Sequence, residues 1–488
     1  MPSTLTHRDL FLGIDVGTQG TKAMLVEVDA RAVRGRGSSS YGLIEGLGPG
    51  CAEQHPGTWH GAVQAAVAAA LEDAGARPDE VRGIGVSGQQ HGAVLLDETY
   101  GPIRAAKLWC DTSTAAQAEA LTAALGRPIP AGFTAPKLRY TADEEPELWE
   151  RTRHVLLPHD FVNACLAHDL FTEVGDASGT GYLDVDRGTW DADAMEATAP
   201  ALAERVPRIV PVGGVAAEVV PSSAEWLGLA AGTPVSAGGG DNMLSAIGAG
   251  ATRPGAVVCS LGTSGTVFAY ADARVPDPTG GIAAFRASSA LGIGAPAGHL
   301  PLACVMNCTA VLEEVVALTG RSHAELTALA AAAPPGSGGA RFIGLLAGER
   351  VPNRPDARGS ITGLRSGSLR PDVLNRAALE GIAAHLGFAL GLLRDGGVRA
   401  DEVRLVGGAA RNPLLRTLLG SAFGCPVTTL REAETAALGG ALQAAAAVRG
   451  VPADDVVQAF DNRGTERSEP DTALAGLFEE LIAGYAAL

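Results

Sequence analysis

The chain has no run of lysine and arginine, no Cys-x-x-Cys pair, and no uninterrupted apolar stretch near the roughly eighteen residues of a membrane span. Each absence removes a class of function. With 54 acidic against 37 basic residues and a formal net charge of −17, a nucleic acid or an anionic membrane finds no basic surface to meet. A phosphorylated ligand would instead be held by backbone amides, a few chosen cations and a metal ion. The seven cysteines (Cys51, Cys110, Cys165, Cys259, Cys304, Cys308 and Cys425) are odd in number and read as reduced, mostly buried thiols. Cys304 and Cys308 are spaced to share a helix face, but with no histidine nearby they read as small core residues and no metal is assigned to them. The polar stretch Met1 to Asp9 leads directly into a strand and is no secretory signal. A soluble, cytoplasmic protein is expected.

What is present is length and alternation. A chain of 488 residues exceeds one comfortable hydrophobic core, so two large domains with a cleft between them are expected. Strand signals at 10–16, 21–28, 81–86, 93–96, 234–237 and 402–406 alternate with helical stretches at 55–75, 243–249 and 414–423, which makes the class α/β. The segment Gly13-Ile14-Asp15-Val16-Gly17-Thr18-Gln19-Gly20-Thr21 returns as Val258-Cys259-Ser260-Leu261-Gly262-Thr263-Ser264-Gly265-Thr266, almost half the sequence later. Each copy reads as strand, Gly-Thr turn, strand. The repeat predicts two domains of similar fold with a boundary near residue 250. Asp15 of the first copy faces Ser260 of the second, so only the first half keeps the carboxylate.

Several segments carry chemistry. Consecutive amides in the turns at Gly17-Thr18 and Gly262-Thr263 can converge on phosphate oxygens, or the turns can be plain tight hairpins. Asp15 could hold Mg²⁺ through water, since that ion keeps most of its waters and takes few carboxylates. A third glycine turn, Gly407-Gly408, leads to Asn412 as helix N-cap and Pro413 as first helical residue; it can approach a nucleotide or serve packing alone. Asp241 follows three glycines and precedes a helix, a position that suits either a cap or a general base. Gln90 and His91 lie at a strand tip where a polyhydroxylated ligand could be met, and Trp109 with Asp111 offers an apolar face and an acceptor. Each of these can equally be packing.

Taken together in order, the segments resemble the FGGY carbohydrate kinases of the glycerol kinase and xylulokinase type. The marks are Gly13-Ile14-Asp15-Val16-Gly17-Thr18 with Lys22, Ser87-Gly88-Gln89-Gln90-His91-Gly92, Leu108-Trp109-Cys110-Asp111 and Thr134-Ala135-Pro136-Lys137-Leu138. Next come Leu156-Leu157-Pro158-His159-Asp160, Asp176-Ala177-Ser178-Gly179-Thr180 and Gly238-Gly239-Gly240-Asp241-Asn242. Leu261-Gly262-Thr263-Ser264-Gly265, Gly348-Glu349-Arg350-Val351-Pro352 and Gly407-Gly408-Ala409-Ala410-Arg411 complete the series. The resemblance implies two domains of the actin and hexokinase (ribonuclease H-like) fold around a central cleft, residues 1–250 binding sugar and 251–488 binding ATP. It implies ATP-dependent phosphorylation of D-xylulose, with Asp241 as base and Asp15 serving Mg²⁺ and phosphoryl transfer. Gln90, His91, Trp109, Asp111 and Asn242 would meet the sugar; Gly17, Thr18, Lys22, Gly262, Thr263, Gly407, Gly408 and Asn412 would meet the nucleotide. The family also suggests a homodimer. Another ketopentose, a sugar acid or a polyol is the alternative acceptor, and an actin-like ATPase without sugar the alternative activity. Two positions depart from many bacterial xylulokinases, Gln90 standing for Met and Ser113 for Arg.

Overall fold

An apolar run broken only by Gly13 and Asp15 makes Leu10–Val16 a strand buried along nearly its whole length, as a strand covered on both faces must be. The computed structural model describes residues 8–277 and 280–488, so most of the polar lead-in lies outside the described residues. Leu10–Val16 pairs antiparallel with Gly20–Glu27, which pairs with Ala32–Ser40, and parallel with Val81–Gly88. Pro234–Ser236 and Val215–Glu218 extend the sheet on the other side, and the two-residue strand Gly239–Gly240 adds to the end of Val81–Gly88, giving seven strands. Helix Pro56–Ala74 covers one face, started by a proline and stopped by Gly75 in the left-handed region.

A second seven-stranded sheet repeats the plan. Gly255–Leu261 pairs antiparallel with Gly265–Ala269 and parallel with Ala400–Val406, as the half-length repeat predicts. Val427–Leu430 and Arg463–Ser468 flank one side, His299–Val305 and Ile282–Arg286 the other. The spine of its core is helix Pro371–Asp395, packed with Val257, Cys259, Leu405, Leu418 and Phe478. That helix is long and apolar enough to cross a membrane, but 83% of its most apolar window is buried inside the protein, as in a core helix. Cys304 belongs to strand His299–Val305 and Cys308 follows it, so the two share no helix face. No disulfide or metal-binding cluster occurs among the described residues.

Two compact units make up the protein, but they are not separated by one cut near 250. The first holds the residues up to Thr252 together with Phe285–Leu300 and Glu434–Asp461; the second holds Arg253–Ala284, Pro301–Ala433 and Asn462–Leu488. The physical reason is helix Thr435–Arg449, which lies backbone to backbone against the first sheet. A Cβ at Gly13 would stand 1.7 Å from the Ala437 carbonyl oxygen, one at Gly85 2.1 Å from that of Gly440, and one at Gly248 1.9 Å from that of Thr435. Only glycine permits such an approach.

Candidate active site

Three segments of the first unit end side by side. Register pairs Asp15 with Ser87, Gly239 with Ser87, and Gly240 with Gly88, so Asp15 and Asp241 emerge at the carboxyl ends of parallel strands, where ligands of open α/β sheets bind. Ser87 Oγ donates to Asp15 Oδ1 at 2.8 Å. Asp241 is the first residue of helix Asp241–Ala249; Gly240 holds the cap position, so the carboxylate is not consumed by capping. Its Oδ1 accepts from the Asn242 amide at 2.8 Å and from Asn242 Nδ2 at 3.1 Å, and Oδ2 takes no partner among the described residues. Burial, reinforced by the charge of Asp15, pushes Asp241 up to about 7. Burial likewise pushes Asp15 up to about 6 against the pull of Ser87 and Lys22. Both side chains keep some surface open to solvent, so they are walled in without being sealed.

Lys22 sits opposite Asp15 across the hairpin and its ammonium is paired with Glu434, half-exposed. No cage of three or more metal-binding side chains exists among the described residues. Mg²⁺ needs none, because it keeps its waters and takes one or two carboxylates. Asp15, accessible and beside a second carboxylate, fits that requirement.

Gln90 is turned inward, 5% exposed, instead of toward a ligand. Its Oε1 accepts from Asn242 Nδ2 at 2.9 Å, and its amide lies by the buried Asp176 carboxylate, whose own partner is His159 Nδ1 at 2.6 Å. A glutamine here therefore braces Asn242, and through it Asp241. His91 has φ +66° and presents its ring between Phe133 and Phe285, centroids 5.0 and 5.8 Å away. Below it lies Gly179, where a Cβ would come within 2.0 Å of His91 Cε1. Lys137 anchors the loop that carries Phe133: wholly buried, it donates to the carbonyls of Gly132 and Phe133, each at 2.6 Å, and burial drives its ammonium down to about 7.

Trp109 is 43% exposed, and its indole N–H donates to Thr18 Oγ1 at 3.0 Å, which donates in turn to Gln89 Oε1 at 3.1 Å. The Thr18 hydroxyl is thus engaged within the unit. Asp111 corrects the expectation of a sugar acceptor. It is fully buried and takes the Ala52 amide at 2.9 Å, the Ser113 amide at 3.0 Å and the Ser113 hydroxyl at 2.5 Å. Ser113 also receives Lys107 Nζ at 3.0 Å, so the residue standing for Arg closes a structural knot under Trp109.

In the second unit, the amide of Gly262 donates to Ser264 O at 3.1 Å, just as that of Gly17 in the first donates to Gly20 O at 3.0 Å. Among the described residues the Thr18 and Thr263 amides donate to no backbone carbonyl, so each can meet a phosphate oxygen within its own unit. Gly407, at φ +99°, is required by packing, since a Cβ would lie 2.6 Å from Leu261 O; around Gly408 the space is open. Asn412 caps helix Pro413–Phe423, accepting from Leu414 and Leu415 amides at 3.0 and 3.1 Å, and donates to Thr327 Oγ1 at 3.0 Å. Sequence reasoning missed Ser87, Phe133, His159 and Asp176 as site residues although all stood in or beside the quoted motifs. It also missed Phe285 and Glu434, which carried no local signal.

Residues 10–248 match the N-terminal domain, and residues 257–448 the C-terminal domain, of the FGGY family of carbohydrate kinases. A xylulose kinase of Haemophilus influenzae is 38% identical over 89% of this chain and 90% of its own, and one of Streptomyces rubiginosus 36% identical over 90% and 88%. Among solved structures, a xyloylose kinase from Brucella ovis superposes with a TM-score of 0.90 at 30% identity over 98% of both chains. The chain belongs to the FGGY family of carbohydrate kinases and is an ATP-dependent carbohydrate kinase.

Proposed function

We propose that the protein transfers the γ-phosphoryl group of ATP to the 5-hydroxyl of acyclic D-xylulose, giving D-xylulose 5-phosphate and ADP, in the cytoplasm. The observation that carries this reading is Asp241: a carboxylate free of capping duty, with one oxygen unpartnered among the described residues and an affinity for protons raised to about 7. Such a group takes a hydroxyl proton and gives it up again near neutrality. The substrate oxygen attacks γ-phosphorus as its O–H proton passes to Asp241 Oδ2, and the bond from γ-phosphorus to the ADP oxygen breaks in line. Positioning and charge neutralisation supply most of the acceleration in phosphoryl transfer. Asn242 fixes the orientation of Asp241, His91 and Trp109 meet the sugar, and Asp111 and Gln90 act from behind as braces. Contacts to the nucleotide are assigned in the second unit to the Thr263 amide and the open turn at Gly408, and in the first unit to the Thr18 amide. Mg²⁺ held near Asp15 would neutralise charge on the phosphates when bound.

The choice of sugar is supported by the relatives named xylulose kinase. Coupled ADP release is measured with MgATP against D-xylulose, L-xylulose, D- and L-ribulose, gluconate, glycerol, xylitol and no sugar. D-xylulose should give the highest kcat/KM. Another sugar ahead of it refutes the substrate, and sugar-independent ADP release alone refutes the kinase reading in favour of an ATPase.

A further inference from the structure

The turn 238–240 that delivers Asp241 consists of three glycines, two of them with φ of +76° and +158°, and so has little conformational preference of its own. Something outside the turn must hold it. The strand pairing of Gly239 and Gly240 secures one side. On the other side lies Gln443, 2% exposed, on helix Thr435–Arg449. Its carboxamide oxygen accepts from Ser236 Oγ at 2.8 Å and from the Gly238 amide at 2.9 Å. Its nitrogen donates to the carbonyls of Gly238 and Ser288, both at 3.0 Å. Four bonds are all that a primary amide offers here, two accepted and two donated. Two of them grip the same glycine at both its amide and its carbonyl.

The helix that carries Gln443 is itself fixed. Its backbone abuts Gly13 on the strand of Asp15 and Gly248 on the helix of Asp241. Ser245 and Thr435 hydroxyls add a bond of 2.5 Å between the two helices. We propose that Gln443 is a positioning residue for phosphoryl transfer, setting where the Asp241 carboxylate stands relative to Asp15 by clamping Gly238. This rests on Asp241 acting as the base, as proposed above. Gln443 touches neither substrate nor reacting atoms, so its removal should act on turnover and leave both substrate affinities alone. A displacement of about 1 Å at a reacting group costs on the order of a hundredfold in rate.

The test compares Gln443→Met, Gln443→Glu and Asp241→Asn with the parent enzyme. It measures kcat per binding-competent site, the sites being counted by D-xylulose-induced change in tryptophan fluorescence, together with KM for D-xylulose and for MgATP. Gln443→Met should lower kcat per site by about a hundredfold while both KM values stay within about threefold. Glutamate is isosteric, and burial keeps it protonated, so it retains both accepted bonds and one donated bond and should recover at least about tenfold of that loss. A merely structural role would lower the fraction of competent sites and the melting temperature and leave kcat per site unchanged, which overturns the proposal. So does a glutamate variant no faster than the methionine one. If Gln443→Met does not fold, Gln443→Glu decides: a fall in kcat per site of at least about threefold at constant KM supports the clamp, and parental turnover overturns it. Asp241→Asn separates the two levels. If it keeps turnover within about tenfold, the base reading fails and the clamp with it; if it is inactive while Gln443→Met is unimpaired, the clamp alone falls.

Discussion

Mild acid should stop this enzyme in a range where an ordinary aspartate would stay fully ionised. Burial, with Asp15 adding to it, holds Asp241 up at about 7, and burial holds Asp15 at about 6. With Asp241 as the proposed base, only its ionised form can accept the hydroxyl proton, so kcat/KM for the sugar should follow its ionised fraction. That fraction is about nine-tenths near pH 8 and just under one-tenth near pH 6, a loss of about tenfold. At an ordinary aspartate value of about 3.9 the same change would cost about 1%. The assay is coupled ADP release against D-xylulose over this range, with Mg²⁺ in excess so that titration of free nucleotide stays outside it. Because the two carboxylates interact, the limb belongs to the pair. Asp15→Asn removes the neighbouring negative charge that helps raise Asp241, so the limb of its residual activity should move to lower pH. Asp241→Asn should lose about 10²- to 10⁴-fold in kcat while still binding sugar. A profile flat from about pH 8 to about pH 6, or an Asp241→Asn enzyme within about tenfold of the parent, refutes the reasoning.

Gly179→Ala places a methyl group 2.0 Å from the His91 ring, which must leave its position between Phe133 and Phe285. KM for the sugar should rise by at least about tenfold with KM for MgATP unchanged, and parental sugar kinetics would show that His91 does not meet the sugar. Thermal stability should run opposite to activity. Burial raises Asp160, Glu173 and Asp241 each to about 7 and Asp176 well above its usual range. These groups bind more protons folded than unfolded, so the stability they favour is full below the ordinary carboxylate range and is lost as pH climbs through about 7. Glu80, held down to about 2 by Arg8, works the other way but only in stronger acid. Calorimetry on the ligand-free protein should therefore give a higher melting temperature near pH 6 than near pH 8, and the reverse order would contradict the assigned burial.

Much of this was legible in sequence because it is local. The strand 10–16, the Gly-Thr turns, the cap at Asn412 and the three glycines before Asp241 are each stated by neighbouring residues, and the structure has all of them. What sequence hid depends on partners far along the polypeptide. Nothing beside Gln90 says that its amide will meet Asn242 and Asp176 in the interior, and nothing beside Asp111 says that Ala52 will close over it. The return of residues 434–461 to the first unit was hidden for the same reason. Gly13, Gly85 and Gly248 look like three unrelated small residues until the helix that needs their bare backbone is set against them, and that helix starts nearly two hundred residues after the last of them.

That arrangement also sets a timetable for biosynthesis. A ribosome that has made the first 252 residues has delivered both carboxylates and most of the sheet, but the glycine-floored groove that receives helix Thr435–Arg449 is still open. The first unit can close only after residues 434–461 have cleared the exit tunnel, long after its first 252 residues have emerged. Asp15 and Asp241 therefore sit on an unfinished unit until the helix that packs beneath them has been made.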